Sequence, residues 1–348
     1  YHWNKAVVEG LDVLDPTTRI LDMSRIGPVL TFEDEAVRKG APVTAMLVQN
    51  TNPAAVAPDT NRVLKGLKRD DLFLCVHEQF LTETAQLADI VLPATMFLEH
   101  DDIYQAGGHM YLQIHRAVIE APEQTRSNHW LINELAKRLG AQHPGFGMTE
   151  WELIDKTLLD SGWPSADVLL EKKWHDVQPS FADSHFLNGF PTSTGRFQFS
   201  ADWSQLGPLG SKLPNYPDHC DNIDSATAEK PFRLVTSPAR NYLNTSFTET
   251  PTSKQKEVRP TVKIHPDAAG QLCLEDGDKV RLGNEQGSVV LNASIFSGLQ
   301  TNVVVVESVW PNSAFEEGVG INTLISAEAG PPNGGAVFHD TAIWIKPA

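Results

Sequence analysis

Short uninterrupted apolar runs separated by polar loops fill the first half of the chain, and period-two alternation takes over in the last third. Residues 44–48 (TAMLV) form one such run, followed by the loop QNTNPAAVAPD and a helix that Asp59 caps, with Val63, Leu64 and Leu67 on one face. A second run, 72–76 (LFLCV), leads into a loop and a helix beginning near Thr82, and a third, 89–93 (DIVLP), follows. Strands that are apolar throughout and alternate with helices predict a parallel sheet covered on both faces. Ligands of such sheets collect just past the strand ends, where loop groups can converge without breaking a ladder. That rule singles out Asn50, Thr51 and Asn52 in one loop and His77, Glu78 and Gln79 in the next. No GxGxxG occurs here, so the ordinary nicotinamide or flavin fingerprint is absent. For His77 a capping or core role is the competing reading.

On either side of this unit the pattern is less chemical. In the lead-in, residues 1–41, Thr31 is the expected cap of a short helix through Glu33, Asp34, Ala36 and Val37 to Gly40. Residues 94–126 read as an irregular loop region with an acidic patch, Glu99, Asp101 and Asp102, which without a third ligand is read as solvated. A helix runs over 128–139 with Ile132, Leu135, Ala136 and Leu139 on one face and Gly140 as its stop. Thr149 and Glu152 make a capping box for a second helix with Trp151, Ile154 and Leu158 inward. These elements close an α/β domain over 42–175. Periodicity then fades over 176–228, where GFPTSTGRFQFSAD (189–202) predicts a turn and a short β element and the rest reads as linker.

From about residue 229 the chain reads as β. FRLVTSPARNYLNTSFT (232–248) is a strand that stops at Thr236 and at once offers Ser237, Pro238, Arg240, Asn241, Asn244, Thr245 and Ser246. One guanidinium among many hydroxyls and amides suits a phosphate-bearing, polar ligand; a polar loop after an edge strand is the plainer alternative. VKIHP precedes a helical turn at Asp267–Ala269, two alternating strands flank the turn 284–287, and LQTNVVVVES and TAIWIKP supply further strands. Several short strands at regular spacing favour a closed β-barrel over a sandwich.

Composition narrows the partners. The 348 residues are 41% hydrophobic and 21% charged, ordinary for a globular chain long enough for two domains. A net charge of -16 argues against nucleic acid and anionic membranes, which demand basic patches. Cys75, Cys220 and Cys273 stand far apart with no CxxC, which disfavours an iron–sulfur or zinc site built from this chain alone. No run reaches the roughly 18 to 20 apolar residues of a membrane span. The chain starts at Tyr1 without Met or a leader, as a piece whose beginning has been removed would; the cytoplasm is the expected compartment, with the periplasm left open.

NTNPAAVAPD, FLTETAQLADIVLPATMFLEHDD, FPTSTGRFQFSAD, FRLVTSPARNYLNTSF, IHPDAAGQLCLEDGDKVRLGNEQGSV and GINTLI, in that order, resemble the C-terminal half of molybdopterin oxidoreductases, the group of dimethyl sulfoxide reductase, formate dehydrogenase and nitrate reductase. The resemblance covers residue 42 to the end, and six motifs in order are far more specific than any one of them. It implies a Rossmann-like parallel α/β domain, here partial, followed by a C-terminal double-psi-type β-barrel over 229–348. It also implies two molybdopterin guanine dinucleotides around a molybdenum or tungsten ion, shared with an N-terminal part of the same enzyme. By the same resemblance the cofactor contacts are Thr236, Ser237, Arg240, Asn244, Thr245, Ser246 and Asn322 in the barrel, and Asn50, Asn52, His77, Thr84 and Asp89 in the α/β unit. Asp89 and Thr84 have scaffold readings beside this one. The family's metal ligand and, where present, its [4Fe-4S] cysteines precede this region, so no catalytic or metal-ligating residue is assigned. The implied activity is a two-electron oxo transfer or dehydrogenation of a small substrate, served by an electron-transfer partner, with this portion inactive by itself. Two alternatives remain open at this point. One is a cofactor-free scaffold within a larger electron-transfer complex. The other is a free-standing barrel like that of the self-processing aspartate decarboxylase, for which Gly287-Ser288 is the one candidate junction.

Overall fold

The computed structural model describes residues 3–10, 13–200, 202–216, 218 and 224–348; the Cys220 thiol falls outside them. Internal packing divides the chain into two compact units, residues 1–19, 77–80 and 91–199, and residues 20–76, 81–90 and 200–348. The three apolar runs form β1 (Ala45–Gln49), β2 (Phe73–Glu78) and β3 (Ile90–Pro93), a parallel sheet in the order β1-β2-β3. Asp59 caps the helix Thr60–Leu67 as expected, its carboxylate accepting from the Arg62 N–H, and Val63 and Leu67 are buried on the inner face. Thr82 caps the helix Glu83–Gln86. One expectation fails at the edge of the sheet: Ile90 and Val91 of β3 are 44% and 41% exposed, so this strand is not covered on both faces.

In the first unit, residues 94–126 are more regular than their composition suggests. β4 (Asp102–Tyr104) pairs antiparallel with β5 (Tyr111–His115), and β5 pairs with β6 (His175–Asp176). Leu112 and Ile114 alternate inward from β5 onto Ile154, Leu158 and Leu169 of the two following helices. The acidic patch is spent locally: Asp101 pairs with Arg116 at 2.8 Å, Glu99 accepts from the Met96 N–H, and Asp102 from the Ile103 N–H. The helix Asn128–Leu139 has its expected bounds and its Gly140 stop. Its apolar face is only partly used, however, since Ala136 is buried while Leu139 is 74% exposed. A periodic stripe fixes the helix, and its partner is a separate matter. Thr149 and Glu152 make the predicted capping box for the helix Glu150–Asp160.

Two local expectations are corrected. Asp34, not Thr31, caps the helix Glu35–Arg38: the Asp34 carboxylate accepts from the Ala36 N–H, while the Thr31 hydroxyl donates back to the Gly27 carbonyl. Among the described residues of 189–202 there is the turn but no strand. Phe190 instead stacks on Phe186 at 4.7 Å and meets Phe197 edge-on at 5.4 Å, a side-chain ladder that needs no backbone pairing.

In the second unit six strands close a barrel. They are β7 (Phe232–Ser237), β8 (Thr261–Ile264), β9 (Lys279–Gly283), β10 (Ser288–Ile295), β11 (Val303–Glu307) and β12 (Thr341–Pro347). Their order around the barrel is β10-β8-β11-β7-β12-β9. The pairs β10/β8 and β11/β7 run parallel and the other neighbours antiparallel, giving the double-psi type of closed barrel. Closure removes every free edge, and alternate residues of each strand (Val262 and Ile264, Val280 and Leu282, Val304 and Val306) fill the interior. Gly283 is fixed by a close approach. A Cβ there would lie 2.1 Å from the indole of Trp344, its partner across the β9/β12 ladder.

Candidate functional site

The second unit encloses a cavity of about 750 Å3. Three strand ends meet on it: Gln49 and Thr51 at the end of β1, Thr236 and Ser237 of β7 with Pro238 and Asn244 beyond, and Ser308 and Val309 after β11. Asn322, Phe338 and His339 come from the later barrel loops, and Asp22, Ser24, Ile26, Val29, Leu30 and Val56 add a largely apolar wall. Of the sheet-loop residues that the strand-end rule singles out, Thr51 lines this cavity and Asn50, Asn52, His77, Glu78 and Gln79 do not; beyond β7, Pro238 and Asn244 do.

The loops around the cavity are locked by a buried polar network that joins segments remote in sequence. The helix Pro53–Val56 is a single turn, so its last carbonyls have no intrahelical partner. Asn312 Nδ2 donates to the Ala54 carbonyl at 2.9 Å, and Asn322 Nδ2 to those of Ala55 and Val56 at 3.3 and 2.8 Å. Asn312 also donates its N–H to Glu83 Oε1 and accepts from the Gly320 N–H, both at 2.9 Å. Glu83 Oε2 in turn accepts from Asn52 Nδ2 at 2.7 Å. Asn312 and Glu83 escaped the sequence reading. They sit outside the polar loop clusters, and only their three-dimensional partners give them a role.

The expected contact residues fall into three groups. Thr236, Ser237, Asn244 and Asn322 line the cavity. Asn52, Thr84, His77 and Asp89 have their hydrogen-bonding groups engaged within the protein. Asn52 Oδ1 accepts from the Thr84 hydroxyl and N–H, and the Thr84 hydroxyl accepts from the Ala54 N–H. His77, in the first unit, bridges Asn128 Oδ1 and the Arg126 carbonyl, each at 3.0 Å, and Asp89 accepts from the Leu74 N–H at 2.7 Å. Asn50, Arg240, Thr245 and Ser246 stand outside the cavity lining. Asn50 is an exposed residue at φ +49°, and Arg240 is exposed with no ion pair among the described residues. Thr245 and Ser246 shape the loop through backbone bonds to Thr248 Oγ1 and Leu243.

Asp22, which the sequence did not single out, carries charge at the cavity wall. Burial pushes its carboxyl up, but hydrogen bonds from Ser24 and from the Gly335 N–H outweigh this and hold it below the ordinary carboxylate range. Ionised, it is a pure acceptor that straps residues 330–335 to the loop before Ile26.

Two residues that line the cavity each hold a buried side-chain oxygen with no partner among the described residues. Asn322 Oδ1 and Ser308 Oγ are buried and unbonded, in residues 1% and 5% exposed. An unpaired buried acceptor costs about 1–3 kcal/mol, so at these two points the cavity wall is under-satisfied by the protein's own groups.

An end of the parallel α/β sheet and the loops of the double-psi barrel thus meet on one cavity within the second unit. Comparisons agree. A sequence model described as molybdopterin oxidoreductase matches residues 27–138, and one described as molydopterin dinucleotide binding domain matches residues 232–342. A probable oxidoreductase of Bacillus subtilis, YoaE, is 31% identical over 95% of this chain and 47% of its own length. The trimethylamine-N-oxide reductase of Haemophilus influenzae is 25% identical over 85% of this chain and 40% of its own. The solved acetylene hydratase from Pelobacter acetylenicus superposes with a TM-score of 0.75 at 19% identity, over 94% of this chain and 47% of that one. The chain belongs to the molybdopterin oxidoreductase family. It spans about half the length of the curated relatives it matches.

Proposed function

We propose that this chain is the part of a molybdenum or tungsten oxidoreductase that holds two molybdopterin guanine dinucleotides, together with a further, N-terminal portion of the same enzyme. The observation that carries the proposal is the cavity itself, on which the ends of β1, β7 and β11 bring together the polar side chains of Thr51, Thr236, Ser237, Asn244 and Ser308 beside Asn322. The polar lining fits the group: the hydroxyls of Ser237 and Ser308 and the amide of Asn244 suit pterin, ribose and guanine edges, while Thr236, whose hydroxyl donates to the Phe338 carbonyl, and Asn322, whose Nδ2 is spent on two carbonyls, keep only acceptor capacity. The exposed guanidinium of Arg240 suits the pyrophosphate. When bound, the cofactor supplies a soft, dithiolene-ligated metal for two-electron oxo transfer or dehydrogenation of a small substrate.

The work of this chain is then positional. Asn322, pinned by its Nδ2 to two carbonyls, holds its Oδ1 in one orientation. The Asn312–Glu83–Asn52 network keeps the loop after β1 in register with the barrel loops, and the apolar wall excludes water so that each hydrogen bond is strengthened. The metal ligand, any [4Fe-4S] cluster and the site of electron exchange lie in this proposal outside the chain, which by itself is inactive.

The test is composition of the intact enzyme purified from molybdenum- and tungsten-supplemented cells. Metal by elemental analysis and guanylate released by acid hydrolysis should both be present, with two guanylates per metal. Background levels of both sink the proposal and leave a cofactor-free scaffold in its place.

A further inference from the structure

None of the described residues from 178 to 200 is buried, yet aromatic side chains crowd this stretch of the first unit. Phe181, Phe186, Leu187, Phe197 and Phe199 are between 46% and 77% exposed. The rings form a ladder rather than a scatter. Phe186 stacks on Phe190 at 4.7 Å, Phe190 meets Phe197 edge-on at 5.4 Å, and Phe197 meets Phe199 edge-on at 5.0 Å. At about 200 Å2 for a whole side chain of this size, they expose on the order of 600 Å2, as much as the largest patch on an ordinary monomer. A local signal is also unmet here. Residues 196–199 (RFQF) alternate polar and apolar, the period of a strand, but no backbone hydrogen bond among the described residues reaches the N–H of Phe197, Gln198 or Phe199. Open amides can turn to water; the phenylalanines beside them have no such outlet.

Chemistry decides among the surfaces that would cover the ladder. A second copy brings together two chains of net charge -16, and an anionic membrane meets the same repulsion. The longer relatives offer another cover: YoaE matches 95% of this chain with 47% of its own length, so about half of such a polypeptide remains to pack against this half. We propose that residues 181–199 seat the N-terminal portion of the same enzyme, which buries the phenylalanine ladder and pairs one of its strands with the backbone at 197–199. This seat rests on the reading of the chain as one part of a longer enzyme, and it adds the surface by which the two parts join.

The test uses the intact enzyme, expressed from its whole gene with a photo-crosslinker as Phe197→p-benzoylphenylalanine and, separately, Phe181→p-benzoylphenylalanine. Irradiation should join both positions to peptides that precede Tyr1 in the same polypeptide, read by mass spectrometry of the digest. In the intact enzyme, Phe197→Glu should speed amide exchange over residues 190–199 by about tenfold or more, because it forces a carboxylate into an apolar contact. Cross-links to a second copy, to residues 200–348 or to a different protein overturn the inference, as does the absence of any cross-link or unchanged exchange in Phe197→Glu. Metal and guanylate measured on the same preparations keep those outcomes apart from the cofactor reading, which stands while both are present. A natural polypeptide whose intact mass leaves no room for residues before Tyr1 overturns the two-part reading itself, and the inference with it.

Discussion

Replacing Asn312 with alanine removes two buried hydrogen bonds at a stroke, Nδ2 to the Ala54 carbonyl and Oδ1 from the Gly320 N–H, each 2.9 Å long. Ala54 is fully buried and Gly320 is buried, so neither freed group reaches water without local opening. At about 1–3 kcal/mol for each stranded group, and allowing for relaxation of the pocket, the variant should lose about 2–4 kcal/mol. The loss should be local. Amide exchange followed by mass spectrometry on peptides covering residues 52–57 and 310–325 should speed up by about 30-fold to nearly a thousandfold, at tenfold per 1.4 kcal/mol. Peptides from the helix Asn128–Leu139 should exchange as before. Asn312→Asp sharpens the test, because it restores the acceptor for Gly320 but places a carboxylate beside Glu83, whose Oε1 already receives the N–H of residue 312. Burial and that neighbour raise the new acid's folded pKa above its unfolded value. The acid thus binds more protons folded than unfolded in the window between the two, and stability falls as pH rises through it. When protonated it can also donate to the Ala54 carbonyl. A shift below about 0.5 kcal/mol for Asn312→Ala, or a pH-independent Asn312→Asp, refutes the claim that this network locks the cavity loops.

Other outcomes follow from the same structure. Gly283→Ala should lower the melting temperature, at a cost of about 1–3 kcal/mol from overpacking against Trp344, and Gly283→Ala with Trp344→Leu should recover part of it; an unchanged melting temperature in the single variant refutes the close approach. Burial raises the Asp59 carboxyl despite the opposing charge of Arg62, so this residue's contribution to stability falls as pH rises through its raised folded pKa. Asn caps as well as Asp and cannot ionise, so urea midpoints of Asp59→Asn should lack that slope, which begins above the ordinary carboxylate value of about pH 4. Asp22 is held low and works in the opposite sense: its contribution is present above about pH 4 and lost as pH falls through the lowered folded value, a dependence that Asp22→Asn should remove. In the intact enzyme, Arg240→Ala should lower both metal and guanylate content, and undiminished occupancy of both rules out a phosphate role for this guanidinium.

How far the site was legible can be argued residue by residue. Thr236, Ser237 and Asn244 were visible as a polar cluster where an apolar run stops, and they do line the cavity. Asn322 came only through resemblance, because nothing in its neighbourhood distinguishes it from any loop asparagine. Asn52 and Thr84 lie at strand and helix ends, as ligand residues do, but they bond to each other across 32 residues. Asp22 and Ser308 carried no local signal: one is an ordinary acid before a short helix, the other the last polar residue of a strand motif.

The sequence by itself determined the elements that carry strong local signals, though not the short strands within 94–126 or the strandless stretch after residue 189. Hydrophobic period, caps such as Asp59 and Thr149, and stops such as Gly140 act over a handful of residues, so the chain carries them locally. The barrel's alternation was local too, and its closure followed from the need to leave no edge. Only the tertiary structure decided which polar groups are spent and which are left over. Asn322 reaches Val56 across 266 positions of sequence, and that contact turns a generic amide into a single fixed acceptor. Hydrogen-bond satisfaction is a property of a filled volume rather than of neighbours along the chain. Which buried oxygens are left without a partner among the described residues could be found only once the volume was built.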